Sequence, residues 1–195
     1  MTTHASMTAL VRTRDEPPDI EAACIACARR DPAAFARLYE RHHEAIYRYL
    51  CRRTGDPHDA EDLAGEVFLT AMRSLHRYRD TGAGLRAWLY GVATNHANRW
   101  ARDWRRRRRR PMPPDLEHAQ PDTSDAADRA QRALLALPAR FQAVIVLHHL
   151  EELSVEETAR AIGRPVGTVK SRLKRGRDAM RQELERLDGA PETHQ

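Results

Sequence analysis

Residues 153–180 read LSVEETARAIGRPVGTVKSRLKRGRDAM, and this stretch decides the fold class. Ser154 and Glu157 have the spacing of a capping box, in which each side chain satisfies the other's backbone at the start of a helix. Gly163 closes that short helix, and Pro165 opens a longer one. Val166, Val169, Leu173, Met180, Leu184 and Leu187 form the buried stripe of the second helix. A short helix, a tight turn and a longer helix make a helix-turn-helix, whose second helix lies in the major groove of DNA. Lys170, Arg172, Lys174, Arg175, Arg177 and Arg181 give that helix a basic outer face, opposed only by Asp178. Thr168 and Ser171 near its start can bond phosphate or base edges.

Upstream of this module the pattern stays helical. Ala130–Leu137 forms one helix ended by Pro138, and Phe141, Val144, Ile145 and Leu147 mark another. Near the start of the chain, a first helix covers about residues 19–29. Asp31-Pro32 and Asp56-Pro57 are paired start signals, an N-cap acid followed by proline at the first helical position. Thr54-Gly55 ends the helix between them. Ala60, Leu63, Ala64, Val67, Phe68, Ala71, Met72 and Leu75 then make a buried stripe. The opposite face carries Asp59, Glu61, Asp62 and Glu66. After a turn at Asp80–Gly84, Leu85, Trp88, Leu89, Val92, Ala93, Ala97, Trp100 and Trp104 line a helix that runs into Arg105–Arg110.

Bulk properties agree. The chain has 195 residues, 41% hydrophobic but only 6% aromatic, and a net charge of +5. That composition suits small helical units better than one large sheet-based core. Lys170 and Lys174 are the only lysines, so arginine supplies nearly all the positive charge. No apolar run reaches the length of a membrane span, and the polar first 18 residues lack a signal peptide's apolar centre. A cytoplasmic protein without membrane insertion is expected. Residues 111–128 contain four prolines, five acids and no basic residue, and read as an acidic extended linker. The expected organisation is all-α: a tail at 1–18, a helical domain at 19–110, the linker at 111–128, a helix-turn-helix domain at 129–188 and a tail at 189–195.

Candidate chemistry is binding. Eight arginines between Arg99 and Arg110 offer a phosphate-binding surface. Trp88, Trp100 and Trp104 suit a core at this spacing, with stacking on unpaired bases left open. Asn95 sits mid-helix, where asparagine has poor propensity. The acidic face lacks a converging His, Lys or phosphate loop, so it reads as a solvated or protein-binding face. His42-His43 and His148-His149 are adjacent in helices and make poor joint ligands. Cys24 and Cys27 form a lone C-x-x-C, read as two small residues on the first helix, with a zinc or redox sensor as the alternative. No cofactor, metal site or catalytic constellation is expected, and the chain is not read as an enzyme.

Taken in order, the motifs resemble extracytoplasmic-function (ECF) sigma factors of bacterial RNA polymerase. Residues 59–68 (DAEDLAGEVF) resemble the core-polymerase-binding helix, 86–95 (RAWLYGVATN) the minus-ten-reading segment, and 153–175 the minus-thirty-five-reading module. The resemblance implies a sigma region 2 bundle and a region 4 helix-turn-helix. It implies that Asp59, Glu61, Asp62, Leu63, Glu66 and Phe68 serve core polymerase binding. It places Trp88, Asn95, Arg99, Arg102, Arg105 and Arg106 at a melted minus-ten element. It places Lys170, Ser171, Lys174 and Arg175 at minus-thirty-five bases, with Thr168 and Arg177 on phosphates. Core RNA polymerase, promoter DNA and an anti-sigma factor are the implied partners. Gly65 departs from the pattern, standing where a larger polar residue is frequent. A helix-turn-helix regulator acting outside the polymerase holoenzyme is the alternative. It leaves the acidic helix and the Trp88–Asn95 segment unexplained.

Overall fold

Local capping chemistry sets the helix limits. The computed structural model describes residues 18–108 and 125–188, so the expected tails other than Pro18, most of the linker, and Arg109 and Arg110 lie outside it. Helix α1 spans Pro18–Ala28. Asp31 accepts from the Ala33 N–H and starts a 3-10 turn, Pro32–Phe35, that leads into α2, Ala36–Thr54. Gly55, at φ 77°, terminates α2 in the left-handed region that favours glycine. Asp56 then accepts from the His58 and Asp59 N–H groups at 2.7 and 3.0 Å and opens α3, Pro57–Ser74. Asp80 holds the next turn by accepting from Gly82 and Gly84 N–H, and α4 runs from Gly84 to Arg108.

Helices α2, α3 and α4 enclose the core of a first unit. Leu38, Ile46, Tyr49, Leu50, Ala64, Val67, Leu85 and Leu89 are all buried within it. Each fully buried aliphatic side chain contributes about 1.5–3 kcal/mol relative to exposure. The expected stripe of α3 is buried except at Met72, which is 38% exposed. Met72 stands three residues after the exposed Leu69, at the edge of the stripe, while Ala71 and Leu75 on either side of it stay buried.

The second unit begins earlier than expected. Helix α5 spans Asp125–Ala136, so the last four residues assigned to the linker are helical. Helix α6, Ala139–Ile145, continues into a π-helical turn, Val146–Leu150. Helix α7, Val155–Ala161, carries the full capping box: Glu157 N–H donates to Ser154 Oγ, and Ser154 N–H donates to Glu157 Oε2. Helix α8, Val166–Asp188, buries Val169, Leu173 and Gly176, while Val166, Met180, Leu184 and Leu187 are half-buried. Gly176 is buried because α6 lies close: a Cβ there would stand 3.1 Å from Ile145 Cγ1. Among the described residues there is no strand.

The two units share one apolar core cluster, and a buried polar group of contacts joins them as well. Glu151 follows the π-helical turn and is 1% exposed. Its carboxylate accepts from Tyr90 Oη at 2.7 Å, from Arg48 at 3.3 Å and from Arg52. Arg86 donates to the Glu151 backbone carbonyl at 2.8 Å. Burial, together with the Glu151 carboxylate, pushes the Tyr90 hydroxyl well above its usual pKa, which keeps it a donor. Arg53 is also buried; it donates to Tyr49 Oη, to Asn98 Oδ1 and, across the contact, to Gln142 Oε1.

Candidate nucleic-acid interface

Three surfaces carry the residues singled out from sequence. The first is α3. Glu61, Asp62 and Glu66 are exposed and Asp59 is half-exposed. Leu63 and Phe68 instead face the core, at 6% and 4% exposure, so they hold the helix in place beneath its acidic face. The pattern of α3 forces this, because positions 60, 64, 67, 68 and 71 form one continuous inward stripe. The acidic face is flanked by exposed apolar groups: Leu69 is 50% exposed and Met72 38%. Tyr39 of α2 is 39% exposed and packs edge-on against Phe68, 4.8 Å between ring centroids. Sequence reasoning missed Leu69 and Tyr39 as surface groups. The signal for Leu69 was its place outside the α3 stripe.

The second surface is α4. Asn95, Arg99, Arg102, Arg105 and Arg106 are exposed. A buried bond beneath Asn95, Tyr49 Oη to Thr94 Oγ1 at 2.8 Å, fixes the helix face. His96 bonds Glu66 and Thr70, each at 3.0 Å, and so ties α4 to α3. Asn98, which the sequence reading passed over, is the partner of Arg53. Trp88 is half-buried against Tyr78, and Trp100 stacks on Trp104 at 5.9 Å. All three tryptophans are only partly covered, so core packing and stacking both remain available to them. The side chains of residues 107–110 lie outside the described residues.

The third surface is α8. Lys170, Ser171, Lys174, Arg175 and Arg177 are exposed, with Thr168 half-buried at the first turn. All six lie on one helix held at its base by Val169 and Leu173. Arg172 turns toward α4 and lines a cavity of about 350 Å³ with Asn95, Arg102, Arg105, Arg140 and Arg164. Burial, then the charges of Arg164 and Arg140, lowers the Arg172 pKa. Mutual repulsion of this kind suits a surface whose counter-charge comes from a polyanion.

Other expectations are quickly placed. Cys24 is half-buried and Cys27 exposed, both on α1 with free thiols. Among the described residues no three His, Cys, Asp or Glu side chains converge as a metal site. Nor is any described helix long and apolar enough to cross a membrane.

Comparisons with known proteins identify the family. The Sigma-70 region 2 family profile matches residues 38–110, and the Sigma-70 region 4 profile matches residues 127–180. The chain is 30% identical over 177 residues to the ECF RNA polymerase sigma factor SigW of Bacillus subtilis, covering 80% of this chain and 92% of that relative. It is 36% identical over 163 residues to the RNA polymerase sigma-E factor of Streptomyces avermitilis, covering 79% and 87%. The ECF sigma factor SigE of Mycolicibacterium smegmatis is 35% identical over 157 residues, and the match spans 75% of this chain and 60% of that longer relative. Among solved structures, RpoE of Bartonella quintana in complex with the anti-sigma factor NepR shares the fold at TM-score 0.63 and 22% identity, covering 77% of this chain and 96% of that one. CnrH in complex with the cytosolic domain of CnrY reaches TM-score 0.63 at 25% identity, covering 85% and 96%. A region 2 unit carrying an acidic α3, followed by a region 4 helix-turn-helix, at this identity and over most of the length of SigW and of the Streptomyces factor, places the chain in the ECF family of RNA polymerase sigma factors.

Proposed function

We propose that the chain docks on core RNA polymerase through α3 and reads a promoter at two places, with α4 at a melted minus-ten element and α8 at a duplex minus-thirty-five element. The observation that carries this reading is the pair of outward faces of opposite charge on one chain. The acids of α3 are exposed beside Leu69 and Met72, and the basic residues of α8 are exposed together on one helix. An acidic face rimmed by apolar groups suits a protein partner, because the apolar groups supply burial and the charges supply orientation. A basic recognition helix suits duplex DNA.

Asn95 is the residue assigned to capture of an unpaired base, with Arg99, Arg102, Arg105 and Arg106 on the phosphates of the melted strand. Lys170, Ser171, Lys174 and Arg175 are assigned to base edges, and Thr168 and Arg177 to phosphates. Each contact alone is modest. Joining the two readers on one polymerase raises the effective concentration of the second, so the isolated chain binds promoters weakly. An anti-sigma factor is proposed as a further partner, by analogy with the two solved relatives.

The test is runoff transcription with core polymerase on a promoter library. Transcripts that start at a common spacing from a shared motif support the reading. A chain that never enters the holoenzyme, yet binds a duplex site alone, supports the regulator alternative instead. At a matched upstream element, Lys170→Ala or Arg175→Ala loses about 1–3 kcal/mol of binding if the side chain reads a base. An equal loss on every upstream sequence reassigns it to phosphate.

A further inference from the structure

Five arginines meet at the cavity of about 350 Å³ beside α4. Arg102 and Arg105 come from α4, Arg140 from the start of α6, Arg164 from the turn before α8, and Arg172 from α8 itself. Arg140, Arg164 and Arg172 have no place among the promoter contacts assigned above. The volume falls within the range of small-molecule sites, about 300–1,000 Å³. Its walls are set by backbone. A Cβ at Gly91 of α4 would stand 2.6 Å from the carbonyl oxygen of Ala161 in α7, next to Ile162, which lines the cavity.

The charge here is all of one sign. No acid lines the cavity. Among the described residues, Asp103 of α4 pairs with Arg106 and Asp178 of α8 pairs with Arg181. None of the five cavity arginines pairs with a described carboxylate. The neutral groups beside them leave donors rather than acceptors. Asn98 Oδ1 accepts from Arg53 at 2.8 Å, so its amide N–H groups are what it has left to offer. Thr94 Oγ1 is bonded to Tyr49 Oη at 2.8 Å. Like charges gathered in this way repel one another, and a bound anion relieves the repulsion.

The anion that fits is multivalent. One phosphate group carries about −1.5 to −2 charge at pH 7 and offsets fewer than half of the five guanidiniums. A chain of linked phosphates brings more charge into the same volume, and its paired oxygens match the arginine fork.

We propose that the cavity between α4, α6 and α8 binds a polyphosphate anion, a chain of three or more linked phosphoryl groups. Arg102, Arg105, Arg140, Arg164 and Arg172 supply the counter-charge, and Asn98 supplies a neutral donor. Ala101, Ala139, Ala143 and Ile162 form an apolar part of the wall, where the base of a nucleoside triphosphate has room to rest. The site does not depend on the promoter reading, because three of its five arginines take no part in that reading.

The experiment is isothermal titration calorimetry of the full chain with sodium tripolyphosphate at fixed ionic strength, with circular dichroism to confirm folding. Wild type binds tripolyphosphate at a single site, roughly tenfold or more tightly than inorganic phosphate, the scale of one added charge-assisted hydrogen bond. Arg140→Ala/Arg164→Ala weakens binding by a similar factor or more. Arg132→Ala/Arg181→Ala removes two exposed charges from the same unit but outside the cavity, where salt screens them, and changes affinity by less than about twofold. Equal losses in the two double variants mean diffuse attraction to a basic chain and overturn the proposal. So does a wild-type chain that binds tripolyphosphate no better than phosphate. Should Arg140→Ala/Arg164→Ala lose helical signal, Arg172→Ala decides, and unchanged affinity there overturns the site. A single-stranded oligonucleotide is titrated alongside. If Arg140→Ala/Arg164→Ala weakens the oligonucleotide and leaves tripolyphosphate unchanged, the cavity belongs to the DNA path and the proposal falls. ATP without magnesium separates the two sources of the ligand. Affinity equal to or below that of tripolyphosphate assigns the site to phosphate chains alone; tighter binding of ATP places the nucleoside on the apolar wall.

Discussion

The core of the first unit is apolar throughout, whereas the contact between the units adds a buried polar cluster to the apolar core that runs through both. Inside the first unit, Leu38, Ile46, Leu50, Val67 and Leu89 meet as a continuous apolar core. Between the units, the central groups are Glu151, Arg48, Arg52, Arg53, Tyr90 and Gln142. Apolar burial cannot be recovered on separation, so the first core is made once, at folding. A buried carboxylate adds little net stability even when well partnered, so the polar cluster contributes geometry more than strength. Burial alone does not say what covers a residue: Leu50 and Glu151 are both almost fully buried, yet Leu50 is packed by apolar neighbours and Glu151 by the donors of Tyr90, Arg48 and Arg52.

Substitutions can break or sharpen that contrast. The largest effect is expected in the core: Leu50→Ala costs about 2–5 kcal/mol by lost burial and the cavity left behind. Urea unfolding followed by circular dichroism measures it, and a cost below 1 kcal/mol would mean that the core is looser than its burial implies. Next comes Arg53→Ala, expected at about 1–3 kcal/mol because Tyr49, Asn98 and Gln142 lose a shared donor. If its cost is unchanged when Gln142→Ala is already present, the bond across the units carries none of it.

Smaller effects belong to the helix ends and outer faces. Ser154→Ala costs about 1 kcal/mol by removing the α7 cap. Its partner adds a pH signature. Partial burial raises the Glu157 carboxyl, but hydrogen bonds from Ser154 outweigh it and hold the group below its ordinary value. A depressed folded value means that Glu157 stabilises above the ordinary carboxylate range and that this is lost as pH falls through the folded value. The stability gap between wild type and Glu157→Gln is therefore present at pH 7 and closes in acid; a gap that is the same at both ends would assign the effect to packing. Smallest for folding is the α3 face. Removing Glu61 and Asp62 together changes stability by no more than about 0.5 kcal/mol, while core polymerase binding falls. A stable variant that keeps full polymerase affinity would move the docking surface elsewhere.

Much of this was legible from residues because it is short-range. A cap is a bond between groups two or three residues apart, so Asp31, Asp56 and Ser154 announce their helices without reference to the rest of the chain. The outward charge of α3 and α8 follows from helical periodicity alone. What the neighbouring helices cover was less legible. Leu63 and Phe68 belong to the segment that the resemblance assigns to a partner, and the packing of α2 on α3 turns them inward. Met72 fits the stripe by spacing, yet it falls at the stripe's edge beside the exposed Leu69. The linker ended earlier than its composition suggested, because acids at 125 and 128 are as compatible with a first helical turn as with extended chain.

The sequence by itself determined most of the helices, the caps at Asp31, Asp56 and Ser154, the charged faces and the family, since each rests on chemistry within a few residues or on a pattern repeated along one helix. Only the tertiary structure decided what becomes of Glu151. In the sequence it is one of two adjacent glutamates before a helix. Its partners Arg48 and Arg52 lie 103 and 99 residues away. No local rule joins groups so distant: they meet because the π-helical turn after α6 and the close approach of α7 at Gly91 bring the two units together.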